Sequence, residues 1–121
     1  MQTSKVKEEF RDVIWKNDVV YNLGDKEYII LGCMWLDFLL LADPDNNTLL
    51  AGVRRHELEH YDNDSSEPIG VIVKAKSNEM ANLHNLYGEF TIIAVSDVKI
   101  LIQGKNGFTK AVYPSRLMLV E

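Results

Sequence analysis

One cysteine and three prolines in a chain of 121 narrow what this protein is able to be. Cys33 has no partner for an internal disulfide, so nothing staples the fold and nothing points to an oxidising compartment. No apolar run approaches the roughly 20 residues that span a bilayer. The stretch Met1–Glu9 lacks the apolar core of a signal peptide, which makes the cytoplasm the expected location. Also missing are a glycine-rich phosphate loop, a nucleophile elbow and a Cys-His pairing with catalytic context. The expectation is a protein that is not an enzyme and carries no cofactor.

What is present is unevenly distributed. Residues 1–67 hold 7 Lys/Arg against 14 Asp/Glu, whereas residues 68–121 hold 6 against 4. Phosphate neutralisation needs clustered cations, so the chain as a whole, at net −5, is a poor nucleic-acid binder; its second half is not excluded.

The chain also repeats itself. Glu27-Tyr28-Ile29-Ile30-Leu31 reads against Glu89-Phe90-Thr91-Ile92-Ile93, and at the same offset of 62 Asp37-Phe38-Leu39-Leu40 reads against Lys99-Ile100-Leu101-Ile102. Three residues then drop out, so that Val53 meets Val112 and Leu58 meets Leu117 at an offset of 59. Upstream, Val19-Val20-Tyr21 aligns with Val71-Ile72-Val73, which implies an insertion after the first strand of the second copy.

Period-2 alternation and turn residues predict strands at 19–22, 28–33, 36–42, 48–53, 71–76, 90–95, 99–103, 109–113 and 117–120. Asp43-Pro44-Asp45-Asn46-Asn47 and Lys105-Asn106-Gly107 are the turn signals. Ser4 is positioned to cap a short helix with Val6, Phe10 and Val13 or Ile14 on one stripe. Ser77 caps a possible helical turn within 77–86, with Met80 and Leu83 facing inward. Tyr61–Pro68 reads as an acidic linker. In the third strand of each copy the inward set is Leu36, Phe38 and Leu40, matched by Val98, Ile100 and Ile102. Leu39, Leu41 and Leu101 are left outward to join the two copies.

Short strands, tight turns and no helical layer are expected to form a mainly-β protein of two tandem SH3-like small barrels. The organisation is a helix and lead-in over 1–16, barrels over 17–60 and 69–121, and the linker 61–68 between them. Gly70-Val71-Ile72-Val73-Lys74, the loop ending Leu86-Tyr87-Gly88, and the strands that follow resemble a KOW-type module. The closing Val112–Glu121 is similar to the last strand of such barrels, with a looser likeness to accessory barrels of Mu-type transposases. The first copy has no counterpart of Gly88. The resemblance implies binding of RNA, of transcription or translation machinery, or of protein segments, and seldom catalysis; fold alone does not fix function.

Three constellations carry candidate chemistry. Met34-Trp35 stands where the sister copy has Ser96-Asp97, so two large apolar side chains occupy a turn that tolerates polar ones. They either pack on a neighbouring element or bind a protein partner, with Asp43 and Asp45 as acidic companions. Such acidity fits an inhibitor or accessory factor of a nucleic-acid machine, of phage type. Lys74, Lys76, Lys99, Lys105, Lys110 and Arg116, with Tyr87, Phe108 and Tyr113, are the alternative nucleic-acid face. His56-Glu57-Leu58-Glu59-His60 spells the zinc-hydrolase pattern H-E-x-x-H, which needs an α-helix to bring His56 and His60 to one metal. The repeat aligns His56–Leu58 with the turn Ser115–Leu117, and a solvated turn is the competing reading. Trp15 is expected to be core. Monomer and homodimer both fit.

Overall fold

Strands are the dominant regular element, and the computed structural model, which describes residues 2–14, 20–35, 37–61, 66–96 and 99–120, is mainly β. In chain order the elements are β1 (Thr3–Ser4), β2 (Asp12–Ile14), β3 (Val20–Asn22), β4 (Tyr28–Cys33), β5 (Phe38–Ala42) and β6 (Leu49–Arg54). They continue with β7 (Ile72–Ala75), α1 (Asn78–His84), β8 (Glu89–Val95), β9 (Ile100–Gln103), β10 (Thr109–Val112) and β11 (Leu117–Leu119). Two antiparallel sheets result, in the orders β1-β4-β5-β6 and β10-β9-β8-β7-β11, with β2 and β3 pairing as a separate hairpin. No helix among the described residues is long and apolar enough to cross a membrane.

The two sheets repeat one plan. β7 pairs with β8 on one side and β11 on the other. Its place in the first sheet is taken by Thr3–Val6, where Ser4 pairs with Tyr28 and Val6 bridges Leu58. Lys7 N–H to the Glu57 carbonyl (2.7 Å) and Glu59 N–H to the Lys5 carbonyl (2.8 Å) complete that ladder. A one-residue irregularity at Leu31 in β4 recurs at Ile93 in β8. A 3-10 turn stands at the matching point of both halves, Arg55–Glu57 before the bridge residue Leu58 and Pro114–Arg116 before β11.

This corrects the N-terminal assignment. Ser4 caps no helix; it is buried in β1, and its hydroxyl accepts the His60 N–H at 3.0 Å. Ser4 and Val6 are buried with Lys5 between them less so, a period of two, and among the described residues the helical geometry nearby is the 3-10 turn Glu8–Phe10. Val20–Asn22 therefore is not the counterpart of β7. Both copies leave the sheet at the same point, by a 3-10 turn and hairpin in the first and by α1 in the second. Trp15 lies outside the described residues. The helical turn in 77–86 is α1, with the Ser77 hydroxyl accepting the Met80 N–H at 3.2 Å, as expected of an N-cap. Leu83 does not face inward, being 65% exposed; Leu86 fills that role.

Register also decides which leucines join the halves. Leu39 pairs with Cys33 and Leu41 with Ile30, just as Ile100 pairs with Val95 and Ile102 with Ile92. The structural offset along β5 is thus 61, because the turn after β4 holds one more residue than the turn after β8. A one-residue slip exchanges the two faces of a strand. Leu39 and Leu41 consequently lie in the first core with Val6, Leu23, Tyr28, Ile30, Val53 and Leu58. Leu40, Ala42 and Leu49 instead pack with Val73, Phe90, Ile92, Ile100, Ile102 and Leu117 of the second half. The expected seam of Leu39, Leu41 and Leu101 is replaced by the opposite face of the first sheet. Two further residues drop out at the turn after β5 and at Gly52, which completes the change from 62 to 59.

Candidate interaction site

The turn between β4 and β5 is closed by Met34 N–H to the Phe38 carbonyl (2.7 Å) and Phe38 N–H to the Trp35 carbonyl (3.0 Å). It separates the two residues singled out by the sequence. Met34 is only 5% exposed and belongs to the core shared with the second half, whereas Trp35 is 51% exposed. Asp37, with φ of 67°, turns the chain so that its carbonyl accepts the Arg55 N–H at 3.0 Å.

Beneath this turn is a hollow of about 410 Å³, lined by Lys7, Asp37, Arg55, His56, Glu59 and Tyr61 among others. The Arg55 guanidinium lies 3.7 Å from the Asp37 carboxylate and donates to Cys33 Sγ, also at 3.7 Å. It covers the Tyr61 ring at 5.1 Å from the centroid. His56 meets Phe10 edge-on at 5.7 Å. The site thus combines an exposed indole with a mixed-charge hollow supplied by the 3-10 turn and the N-terminal strand. Beside acidic neighbours in the sequence, Arg55 reads as paired or solvated rather than as a phosphate clamp, and the Asp37 contact is such a pairing; Lys7 and Tyr61 are not singled out there. One signal was available: Arg55 stands at the position of Pro114 in the repeat.

Asp43 and Asp45 are already occupied. Lys26 Nζ lies 3.1 Å from Asp43 and 2.9 Å from Asp45. Hydrogen bonds to Asp45 and then Asp43 hold the Lys26 ammonium well above the usual lysine range. Asp43 also builds its turn, accepting the Asp45 N–H on Oδ1 (2.9 Å) and the Asn47 N–H on its carbonyl (2.7 Å). These carboxylates serve the loop first. Asp62 and Asp64 lie outside the described residues. The end of the linker is pinned, since the Ser66 carbonyl accepts the Cys33 N–H at 2.9 Å and Pro68 is buried.

The six cations of the second half do not form one track. Lys74 stands opposite Glu89 in the β7–β8 register, and Lys105 is exposed on the β9–β10 turn. Lys76 follows β7, with its backbone N–H on the Arg116 carbonyl. Lys110 Nζ donates to the His84 carbonyl at the end of α1, where a cation suits the helix's carbonyl end. Lys99 and Arg116 do gather, 4.9 and 5.2 Å from the Tyr113 ring centre. Desolvation, then the charges of Arg116 and Lys110, hold the His84 imidazolium below its ordinary 6.5. Folding therefore opposes protonation here, so stability is intact above 6.5 and is lost as pH falls toward the lowered folded value. Thermal melts at stepped pH should show this acid-side loss, and His84→Gln should flatten it; an unchanged profile in the variant rejects the assignment.

The H-E-x-x-H letters do not form the zinc-protease helix. Arg55–Glu57 is a 3-10 turn, Leu58 is extended, and the segment continues as the pairing partner of Lys5–Lys7. His56 and His60 therefore do not share an α-helical face. No group of three or more potential ligands gathers among the described residues. No family model, curated protein or solved structure matches this chain.

Proposed function

We propose that this chain is a non-enzymatic interaction protein of two SH3-like small barrels, the second KOW-like, that binds a protein partner through the Trp35 turn. The barrel reading is supported by the strand order: β7 pairs with β11 in the second half, the Val6–Leu58 bridge stands in the same place in the first, and a 3-10 turn precedes Leu58 and β11 alike. The single observation behind the binding reading is Trp35, half exposed at a turn tip that also lends Asp37 to the hollow. An exposed indole with a low-entropy side chain beside a recess is the arrangement that dominates interface energies. Recognition of a nucleic acid by the second half is the weaker reading, because Lys110 already donates to the His84 carbonyl and Lys74 stands opposite the acidic Glu89 in the ladder.

Trp35→Ala is expected to leave stability within about 0.5 kcal/mol. The same variant should weaken partner binding by about 2 kcal/mol. Urea melts of the two proteins check the first, and affinity capture followed by quantitative titration of the captured protein against each checks the second. Equal binding by the two proteins removes Trp35 from the interface.

A further inference from the structure

We infer that the free edge of the second sheet, strand β10, accepts an extended, acid-rich peptide segment of a partner protein by strand addition. Among the described residues β10 pairs only with β9. The Gly104 N–H bonds the Phe108 carbonyl at 2.8 Å, so by antiparallel alternation Phe108, Lys110 and Val112 direct their backbone groups to β9. The N–H and C=O of Thr109 and Ala111 then face away from the sheet, where no described residue bonds them. Both residues are exposed, and the half-exposed rings of Phe108 and Tyr113 bracket them. Sheets that do not bind at an edge protect it, and here the one charged side chain of the strand, Lys110, is turned back onto α1.

Charge selects the occupant. Lys105 stands at one end of the strand and Lys99 and Arg116 at the other, three cations against Glu89, which shares a hollow with Lys105 and Phe108, within a chain of net −5. A phosphodiester strand suits the surface less well. Its sugar-phosphate backbone offers acceptors only and leaves the two outward carbonyls unmatched. A second copy pairing antiparallel brings Lys105 of one β10 region toward Lys99 and Arg116 of the other, a like-charge arrangement. An extended segment with carboxylates among β-forming residues meets both demands: alternating backbone donors and acceptors, and negative charge.

This surface is separate from the Trp35 turn, so the two readings fail separately. Random octapeptides displayed on phage and selected against the full chain test it. The selected peptides should be rich in Asp and Glu and poor in Pro. Once synthesised, they should slow hydrogen exchange at the Thr109 and Ala111 amides. Each of Ala111→Pro and Thr109→Pro removes one outward donor without touching the β9 ladder and should weaken binding about tenfold. The double charge reversal of Lys99 and Arg116 to Glu should abolish the acidic preference, and Trp35→Ala should change nothing. Basic or proline-rich winners, no winners, or unaltered exchange at Thr109 and Ala111 overturn the inference. So does tighter binding of a 15-nucleotide oligo-dT than of any selected peptide, or a dimer dissolved by Ala111→Pro.

Discussion

Leu40→Ala should destabilise the whole chain by roughly 3 kcal/mol, in the range of a fully buried leucine that leaves a cavity. Leu40 belongs to the first sheet through its backbone and to the second core through its side chain, where it has no exposure. Its ladder counterpart Leu101, only partly buried, should cost about 1 kcal/mol under the same change. Because one cluster contains residues of both halves, urea unfolding should remain a single transition that moves as a unit. Two resolved transitions, with Leu40→Ala shifting only the first, would contradict a shared core.

Gly32→Ala should be the most damaging single-methyl change. A Cβ at Gly32 would stand 2.7 Å from the Pro68 nitrogen and 2.9 Å from the Ser66 carbonyl oxygen. Both obstacles are backbone, so no side-chain rotation relieves them. Either β4 shifts or residues 66–68 leave β4, with loss of the Cys33 N–H to Ser66 bond. We expect a cost of about 2–3 kcal/mol. Gly104→Ala is the control: its nearest neighbour is the Phe90 ring edge at 3.4 Å, an ordinary van der Waals contact, and the cost should stay below about 1 kcal/mol. Equal melting temperatures for the two variants would show that the 66–68 segment does not rest on β4.

Both predictions concern features that local reasoning did not reach. Within β5, Phe38 to Ala42 are apolar throughout, so periodicity there carries no information about facing. The faces are set by how many residues the preceding turn holds, and that number is visible only in the ladder. Likewise Met34 and Trp35 are indistinguishable as sequence: adjacent, large and apolar. Only the arrival of the second half over the first sheet buries one and leaves the other in solvent.

The sequence by itself determined the β class, the Asp43–Asn47 and Lys105–Gly107 turns, the Ser77 cap and the duplicated strand pattern. Each rests on preferences acting over a few residues, which the surrounding fold does not reverse. Tertiary structure alone decided that Thr3–Val6 is a sheet strand, that Leu40 rather than Leu39 joins the halves, and that Lys26 holds Asp43 and Asp45. Those outcomes depend on pairing between residues far apart in the chain. A strand without a partner has no face to bury until that partner arrives.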